Sequence, residues 1–266
     1  MGHFAVRAVL FSIAAVASTS ALAADCSPQA DEVNAKCYPT LQAAVDAAIA
    51  LDRPLVLPRG TYQGPLVIDY TAHAGTGFEL ISRGATIYGG LTVQCQRDCF
   101  YFHQEGTLFV SGQTGGALFT LGQPNFADPQ NSIKLDHIVV NNSGAGIACQ
   151  FNYVLDADIF AVCDSAGVIG MDIRQLQFST VKGAASGGQA YAMAMRDGYV
   201  FDNTFSLDLE ASPICKLFTD PRISNNTWLS NYDACPEGSN VLSHDALSGN
   251  TVIGGMAVWM KQLWQD

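Results

Sequence analysis

The sequence predicts an all-β fold, a single right-handed parallel β-helix built from stacked coils of short strands. Three observations lead to this prediction. The motif Asn-Thr followed by an apolar residue recurs at Asn203, Asn226 and Asn250, at spacings of 23 and then 24 residues, about one turn of such a helix. We expect each of these Asn to adopt the left-handed conformation of a tight corner and to bond through its side-chain amide to the Asn one coil above. Short apolar segments separated by Gly, Asn, Asp and Ser fill residues 55–252, with no helical pattern between them. Segments this short bury their side chains only by stacking on neighbouring coils, which gives about eight coils.

The first 23 residues are typical of a signal peptide. Arg7 precedes a short apolar run over residues 8–16, and a small-residue triplet at 21–23 resembles a cleavage site. The run is too short to span a bilayer, and no later stretch reaches the roughly 18 apolar residues that a membrane helix needs. We therefore expect a secreted or periplasmic protein, with one domain over residues 24–266 and no membrane insertion of the mature chain.

The cap of the first coil is predicted by a helical pattern near the mature N-terminus. Thr40 is a good N-cap, and Leu41, Val45, Ala48 and Ile49 share one face of the helix that follows. A β-type run and a Pro/Gly turn come next, over residues 53–62. Apolar residues at helical spacing over 256–264 predict a second cap over the last coil, which would otherwise expose strand edges.

The segment TLQAAVDAAIALDRPLVLPRGTYQGPLVI, residues 40–68, resembles the opening of pectate-lyase-like and phage tailspike β-helices. In that superfamily a helix caps the first coil, and a strand and turn of the form LP-x-GTY begin the winding. The resemblance implies the fold across nearly the whole mature chain, together with a role in acting on glycans. It carries over no catalytic set, because the polygalacturonase aspartate pair and the Arg-x-Pro-x-x-Arg segment of pectate lyases have no equivalent here.

The net charge restricts the possible binding partners of the protein, and the cysteine content indicates the compartment in which it folds. The formal net charge of −11 argues against nucleic acid, whose phosphates favour clustered Lys and Arg. It also disfavours a strongly anionic polysaccharide unless a cation bridges the two. Eight cysteines in an exported chain favour disulfides over a metal site. The sequence does not fix which cysteines pair, but pairing of nearest neighbours would close four short loops, Cys26–Cys37, Cys95–Cys99, Cys149–Cys163 and Cys215–Cys235.

A candidate catalytic column follows from the repeat, since residues at one offset in a stacked fold lie about 4.8 Å apart. Two carboxylates this close push their pKa values apart, so that one serves as acid and the other as base. A separation of two coils approximates the distance between the two carboxylates of an inverting glycosidase. A lyase would instead use Arg as the base and bind Ca²⁺ on the carboxylates. The alternative is that these residues only solvate the corners or form surface ion pairs. The column comprises Asp197, Asp220 and His244, each six residues before a repeat Asn, with Arg196, Arg222 and Asp245 beside them and Asp172 and Arg174 one coil earlier.

Three weaker candidates lie upstream. Asp156 and Asp158 offer oxygen ligands for Ca²⁺, although strand alternation alone would turn both to solvent. The dipeptide Asp136-His137 is similar to an Asp-His pair of pectate lyases, and it also fits a β-helix corner. His103 and Glu105 follow an aromatic run and would line a sugar-binding surface or belong to a loop packed on a disulfide.

These observations predict a carbohydrate-active enzyme that cleaves a polysaccharide lying along the β-helix, with no cofactor or with Ca²⁺. Hydrolysis of a neutral or weakly charged glycan is the first expectation, and Ca²⁺-assisted β-elimination on a uronate is the second. The competing class is a non-catalytic β-helix that serves as an adhesin, a glycan-binding module or a structural surface protein.

Overall fold

The structure is a computed structural model that describes residues 26–27, 30–97, 99–123, 129–195, 198–219, 222–229, 232–234, 241–242 and 249–253. Within these residues the chain winds into a parallel β-solenoid of about eight turns. The predicted signal peptide and the predicted C-terminal helix lie outside them, and the right-handed winding stays a prediction. No helix in this part of the chain is long and apolar enough to cross a membrane.

One α-helix, two 3-10 turns and twenty-one strands make up the described fold. The helix α1 covers Leu41–Leu51, and the 3-10 turns cover Ala35–Cys37 and Thr71–His73. The strands are β1 (Val33–Asn34), β2 (Leu55–Leu57), β3 (Gly60–Gln63), β4 (Leu66–Asp69), β5 (Phe78–Tyr88), β6 (Leu91–Gln94), β7 (Cys99–Gly112), β8 (Ala117–Leu121), β9 (Gln130–Asn142), β10 (Ile147–Ser165), β11 (Ile169–Gln177), β12 (Thr180–Gly187), β13 (Tyr191–Met195), β14 (Val200–Phe201), β15 (Thr204–Glu210), β16 (Ile214–Phe218), β17 (Ile223–Ser224), β18 (Thr227–Leu229), β19 (Tyr232–Ala234), β20 (Val241–Leu242) and β21 (Thr251–Ile253).

Two long stacks of parallel strands form the walls of the solenoid. The first stack runs β2, β5, β7, β9, β10, β12, β15, β18 and β21, and the second runs β4, β6, β8, β10, β11, β13, β16 and β20. The strand β10 is long enough to turn the corner and contribute to both stacks. Every pairing is between successive coils, which confirms the predicted parallel β-helix.

The predicted capping helix is confirmed as α1. The Thr40 hydroxyl oxygen accepts a hydrogen bond from the Ala43 amide at 3.1 Å, which satisfies one of the amides left open at a helix start. Leu41 and Val45 are buried on the face that covers the first coil. Gln42 holds the helix in place, because its side-chain amide donates to the Val67 carbonyl at 2.9 Å and its Oε1 accepts from the Val67 amide at 3.1 Å.

The repeat asparagines form a buried ladder along one corner. The amide nitrogen of Asn203 donates to Asn226 Oδ1 at 3.1 Å, and that of Asn226 donates to Asn250 Oδ1 at 2.8 Å. The Asn203 side chain also donates to Asn226 Oδ1 at 2.9 Å, which confirms the predicted bonding between coils.

The prediction that the repeat Asn itself adopts the left-handed conformation is wrong. Positive φ falls on the residue before each one, at Asp202, Asn225 and Gly249. The ladder Asn must instead point inward to bond, so the turn is made one residue earlier.

The interior of the first stack is a nearly continuous apolar column. Phe205 and Trp228 stack there with ring centroids 4.4 Å apart. The disulfide Cys149–Cys163 joins the two halves of β10, with both cysteines fully buried. Cys26–Cys37 and Cys95–Cys99 are also confirmed. Cys215 is disulfide-bonded, and its predicted partner Cys235 lies outside the described residues. From β2 to β18 the column contains Leu55, Leu80, Gln104, Leu135, Ile159, Val181, Phe205 and Trp228.

Candidate functional site

Most of the predicted catalytic column falls on residues that the structure does not describe. Arg196, Asp197, Asp220, His244 and Asp245 are outside the described ranges. Their assignment therefore stays a prediction, and only three members of the column have known surroundings.

The three described members lie on the coils formed by β11 to β17. The carboxylate of Asp172 is fully buried, and its Oδ2 accepts from Gln150 Nε2 at 3.2 Å and from Arg174 Nε at 3.4 Å. The guanidinium of Arg222 lies over the ring of Tyr199, 4.6 Å from its centroid. The predicted neighbours Asp172 and Arg174 are thus brought together, whereas Arg222 contacts an aromatic ring on the preceding coil.

The two aspartates proposed as Ca²⁺ ligands face solvent and contact different partners. The Asp156 carboxylate accepts from the Ser132 hydroxyl at 3.2 Å, and the Asp158 carboxylate lies 3.7 Å from Lys182 Nζ. In the described ranges no group of three or more His, Cys, Asp or Glu side chains is placed to hold a metal ion.

A polar cluster that the sequence did not assemble lies on the outer face of the first stack, near α1. Register places Glu79, His103, Lys134 and Asp158 in one column on β5, β7, β9 and β10. Alternation along the strands turns these side chains outward, while their neighbours Leu80 and Leu135 point into the core. We define the histidine cluster as Glu79, Tyr101, His103, Lys134 and Asp136.

His103 stands at the centre of the histidine cluster with a carboxylate at each ring nitrogen. Its Nδ1 lies 3.7 Å from Glu79 Oε1, and its Nε2 lies 3.5 Å from Asp136 Oδ1. The Tyr101 hydroxyl is 3.5 Å from the same Nδ1. The imidazole is largely shielded, with 14% of its side chain exposed. A carboxylate at Nε2 orients the ring, and a hydroxyl at Nδ1 provides a group with which it can exchange a proton.

A β-bulge between β7 and β9 brings Asp136 into this position. The register shifts between Gln104 and Thr107, so that the Gly106 amide donates to Asp136 Oδ2 at 3.3 Å. Gly106 has φ +77°, and a Cβ there would lie 2.3 Å from the Ser82 carbonyl oxygen. The buried Gln104 side chain donates to the carbonyls of residues 105 and 106, which fixes the bulge from inside. Bulges of this kind re-aim side chains next to functional sites.

The positively charged Lys134 lies beside the Asp136 carboxylate of the histidine cluster and influences its pKa. Burial alone would raise the pKa of Asp136, but hydrogen bonds from Lys134, the Gly106 amide and His103 outweigh it and hold that pKa below its usual range. Lys134 Nζ lies 3.0 Å from Asp136 Oδ1, and this contact raises the pKa of Lys134. Asp136 therefore stays ionised near neutral pH and is available to stabilise a positive charge on His103.

Tyr101 occupies a strained backbone position. Its φ is +63°, in the left-handed region that a bulky residue rarely adopts, and its side chain is exposed at the rim of the cluster. Such strain costs on the order of 1–3 kcal/mol and concentrates at functional sites. Positive φ recurs at the corresponding positions of the next two coils, Ser132 in β9 and Asp156 in β10, so the solenoid turn also contributes to this conformation.

The two residues of the dipeptide Asp136-His137 have different surroundings. Asp136 joins the histidine cluster, whereas the His137 ring stacks on Phe160 at 4.6 Å between centroids. His137 Nδ1 also lies 3.3 Å from the Thr107 hydroxyl. Glu105 is exposed beside the bulge.

No family model matches the chain, and neither the curated proteins nor the solved structures contain a match. The fold and the site thus define a parallel β-solenoid with an outward-facing cluster of charged and polar side chains around His103.

Proposed function

We propose that this protein is an exported carbohydrate-active enzyme that cleaves a polysaccharide at the histidine cluster. The single observation that carries the proposal is His103, held between two carboxylates on opposite ring nitrogens with an exposed tyrosine hydroxyl beside it. The pectate-lyase-like resemblance at residues 40–68 supports the substrate class, because that superfamily acts mostly on glycans, and fold analogy alone would not suffice.

His103 is proposed as the general acid–base group. With Nε2 donating to Asp136, the neutral ring presents Nδ1 as an acceptor for the Tyr101 proton, so that the Tyr101 oxygen takes a proton from the water that attacks the linkage or, in β-elimination, from the sugar carbon beside it. As the glycosidic C–O bond breaks, the imidazolium of His103 returns the proton through Tyr101 to the leaving oxygen. Asp136 stabilises the imidazolium that forms, and Glu79 at Nδ1 does the same. The residues that hold Asp136, namely Lys134 and Gly106, act as positioning residues.

The proposal is tested on the purified mature protein with a panel of neutral and uronate polysaccharides, with and without Ca²⁺. Reducing ends and the ultraviolet absorbance of an unsaturated product are followed together. Reducing ends alone would identify hydrolysis, and both signals together would identify β-elimination. Cleavage that persists unchanged in His103→Gln would refute the site, and no cleavage across the panel would refute the enzymatic proposal.

A second candidate is a non-catalytic glycan-binding or surface protein. It is favoured by the outer face of the later coils, where Thr180, Thr204, Thr227 and Thr251 align in one polar column. Such a regular face suits adhesion to an extended polymer. Retention of the protein on insoluble polysaccharides without cleavage of any of them would support this candidate.

A further inference from the structure

A polar cavity lies between the end of α1 and the first two coils. Its volume is about 140 Å³, comparable to one sugar ring. The exposed Thr76 lies at its rim, Gly77 lines it, and the buried Phe78 supplies an apolar wall. Cavities with a few fixed polar groups and some apolar surface are the usual form of small-ligand sites. The polar side chains around it are Asp52, Arg53, His73, Thr76, Glu79 and Tyr101.

The polar wall formed by His73 is fixed by contacts on both ring nitrogens. Nδ1 lies 3.0 Å from Asp52 Oδ1, and Nε2 donates to the Ile49 carbonyl in the last turn of α1. The Thr76 hydroxyl lies 3.4 Å from the same Nδ1. His73 thus holds the Asp52 carboxylate and the Thr76 hydroxyl in place before a ligand arrives, and the remaining lone pairs of these oxygens suit the directional hydrogen bonding that hydroxyl-rich ligands require.

The cavity is continuous with the histidine cluster. Glu79 and Tyr101 line the cavity, and both also contact His103 Nδ1, at 3.7 and 3.5 Å. A sugar bound in the cavity would therefore place its linkage to the next sugar beside His103. Asp52 and Arg53, which follow the last residue of α1, also line the cavity. The helix α1 covers the first coil and is anchored to it by the hydrogen bond from Gln42 to the Val67 carbonyl.

We propose that this cavity is a terminal subsite that binds the end residue of the polysaccharide, so that the enzyme cleaves from a chain end. This inference rests on the proposed cleavage at His103 and adds its mode of action. The capping helix blocks passage beyond the cavity, and the open face of the later coils receives the rest of the polymer. The products are short and uniform in length.

The test compares wild type with Thr76→Trp, which fills the cavity from its exposed rim. The matched control is Ala72→Trp, which places the same ring on the neighbouring turn at an exposed residue that does not line the cavity. On the polysaccharide that the wild type cleaves, we expect short uniform products while viscosity is still high. We expect kcat/KM to fall about tenfold or more in Thr76→Trp, the equivalent of one lost subsite contact, and to stay within about twofold in Ala72→Trp. An early fall in viscosity in the wild type, or equal rates in the two variants, would overturn the inference while leaving the proposed cleavage intact.

A binding measurement separates failure of the inference from failure of the proposed function. Saturation-transfer NMR is recorded with glucose, galactose and galacturonate, each added alone to the wild type and to both variants. Transfer that is present in the wild type and Ala72→Trp but lost in Thr76→Trp supports the subsite even if no polysaccharide is cleaved. Absence of transfer from all three sugars in the wild type would overturn it.

Discussion

Replacing Asn226 by alanine removes the central member of the asparagine ladder. Asn226 is fully buried, its Oδ1 accepts from the Asn203 amide at 3.1 Å, and its Nδ2 donates to the Val200 carbonyl at 2.8 Å. Alanine would leave one backbone N–H and one carbonyl without these partners, each at a cost of about 1–3 kcal/mol. We therefore expect the free energy of unfolding to fall by roughly 2–6 kcal/mol.

The assay is equilibrium urea denaturation followed by circular dichroism, with hydrogen exchange of the Asn203 amide as a local readout. The control is Asn141→Ala, which removes an exposed amide that donates to Asp164 at 3.4 Å, and we expect it to change stability by less than about 0.5 kcal/mol. Equal stability of Asn226→Ala and wild type, with the Asn203 amide still protected, would refute the reasoning that the ladder supports the corners.

Three further changes probe the core, a cross-link and the site. Trp228→Ala removes a buried ring, and we expect a loss of about 3–5 kcal/mol in urea denaturation; a loss below about 1 kcal/mol would show that the ring is not packed. Replacing Cys149 and Cys163 together by serine opens a loop with a sequence separation of 14, for which we expect about 3 kcal/mol of destabilisation, and an unchanged denaturation midpoint would contradict the cross-link. Because the pKa of Asp136 is lower in the folded than in the unfolded protein, its ionised carboxylate stabilises the fold at pH values above the unfolded pKa of about 4. This stabilisation is lost as the pH falls through the folded pKa. Asp136→Asn should therefore reduce the stability difference between neutral and acidic pH, and an unchanged acid profile would contradict this assignment.

The fold could be predicted because each coil of the solenoid places the same structural demand on its corner residue, and this leaves a repeat in the sequence. A buried ladder needs the same residue type at successive corners, so Asn203, Asn226 and Asn250 make the period visible. The turn itself was misplaced by one residue, because Asp202 and Asn225 are also residues that adopt the left-handed region readily.

The histidine cluster could not be predicted, because the early coils differ in length. His103 follows its register partner Glu79 by 24 residues, but Lys134 follows His103 by 31. A period taken from the later asparagines therefore does not extend to this region. The bulge that brings Asp136 to His103 shifts the register again, and it depends on Gly106, whose role appears only in three dimensions. His103 and Asp136 were each singled out from sequence, but not as a pair.

The most direct test of the account compares His103→Gln with His137→Gln on a polysaccharide that the wild type cleaves. Both histidines lie on strands of the first stack, β7 and β9, but only His103 is placed between Glu79 and Asp136, whereas His137 stacks on Phe160. We predict that kcat falls about 10²- to 10⁴-fold in His103→Gln, as expected for a lost general acid–base group, and changes by less than about threefold in His137→Gln. Equal activity of the two variants, with both folded as the wild type, would contradict the assignment of cleavage to the histidine cluster.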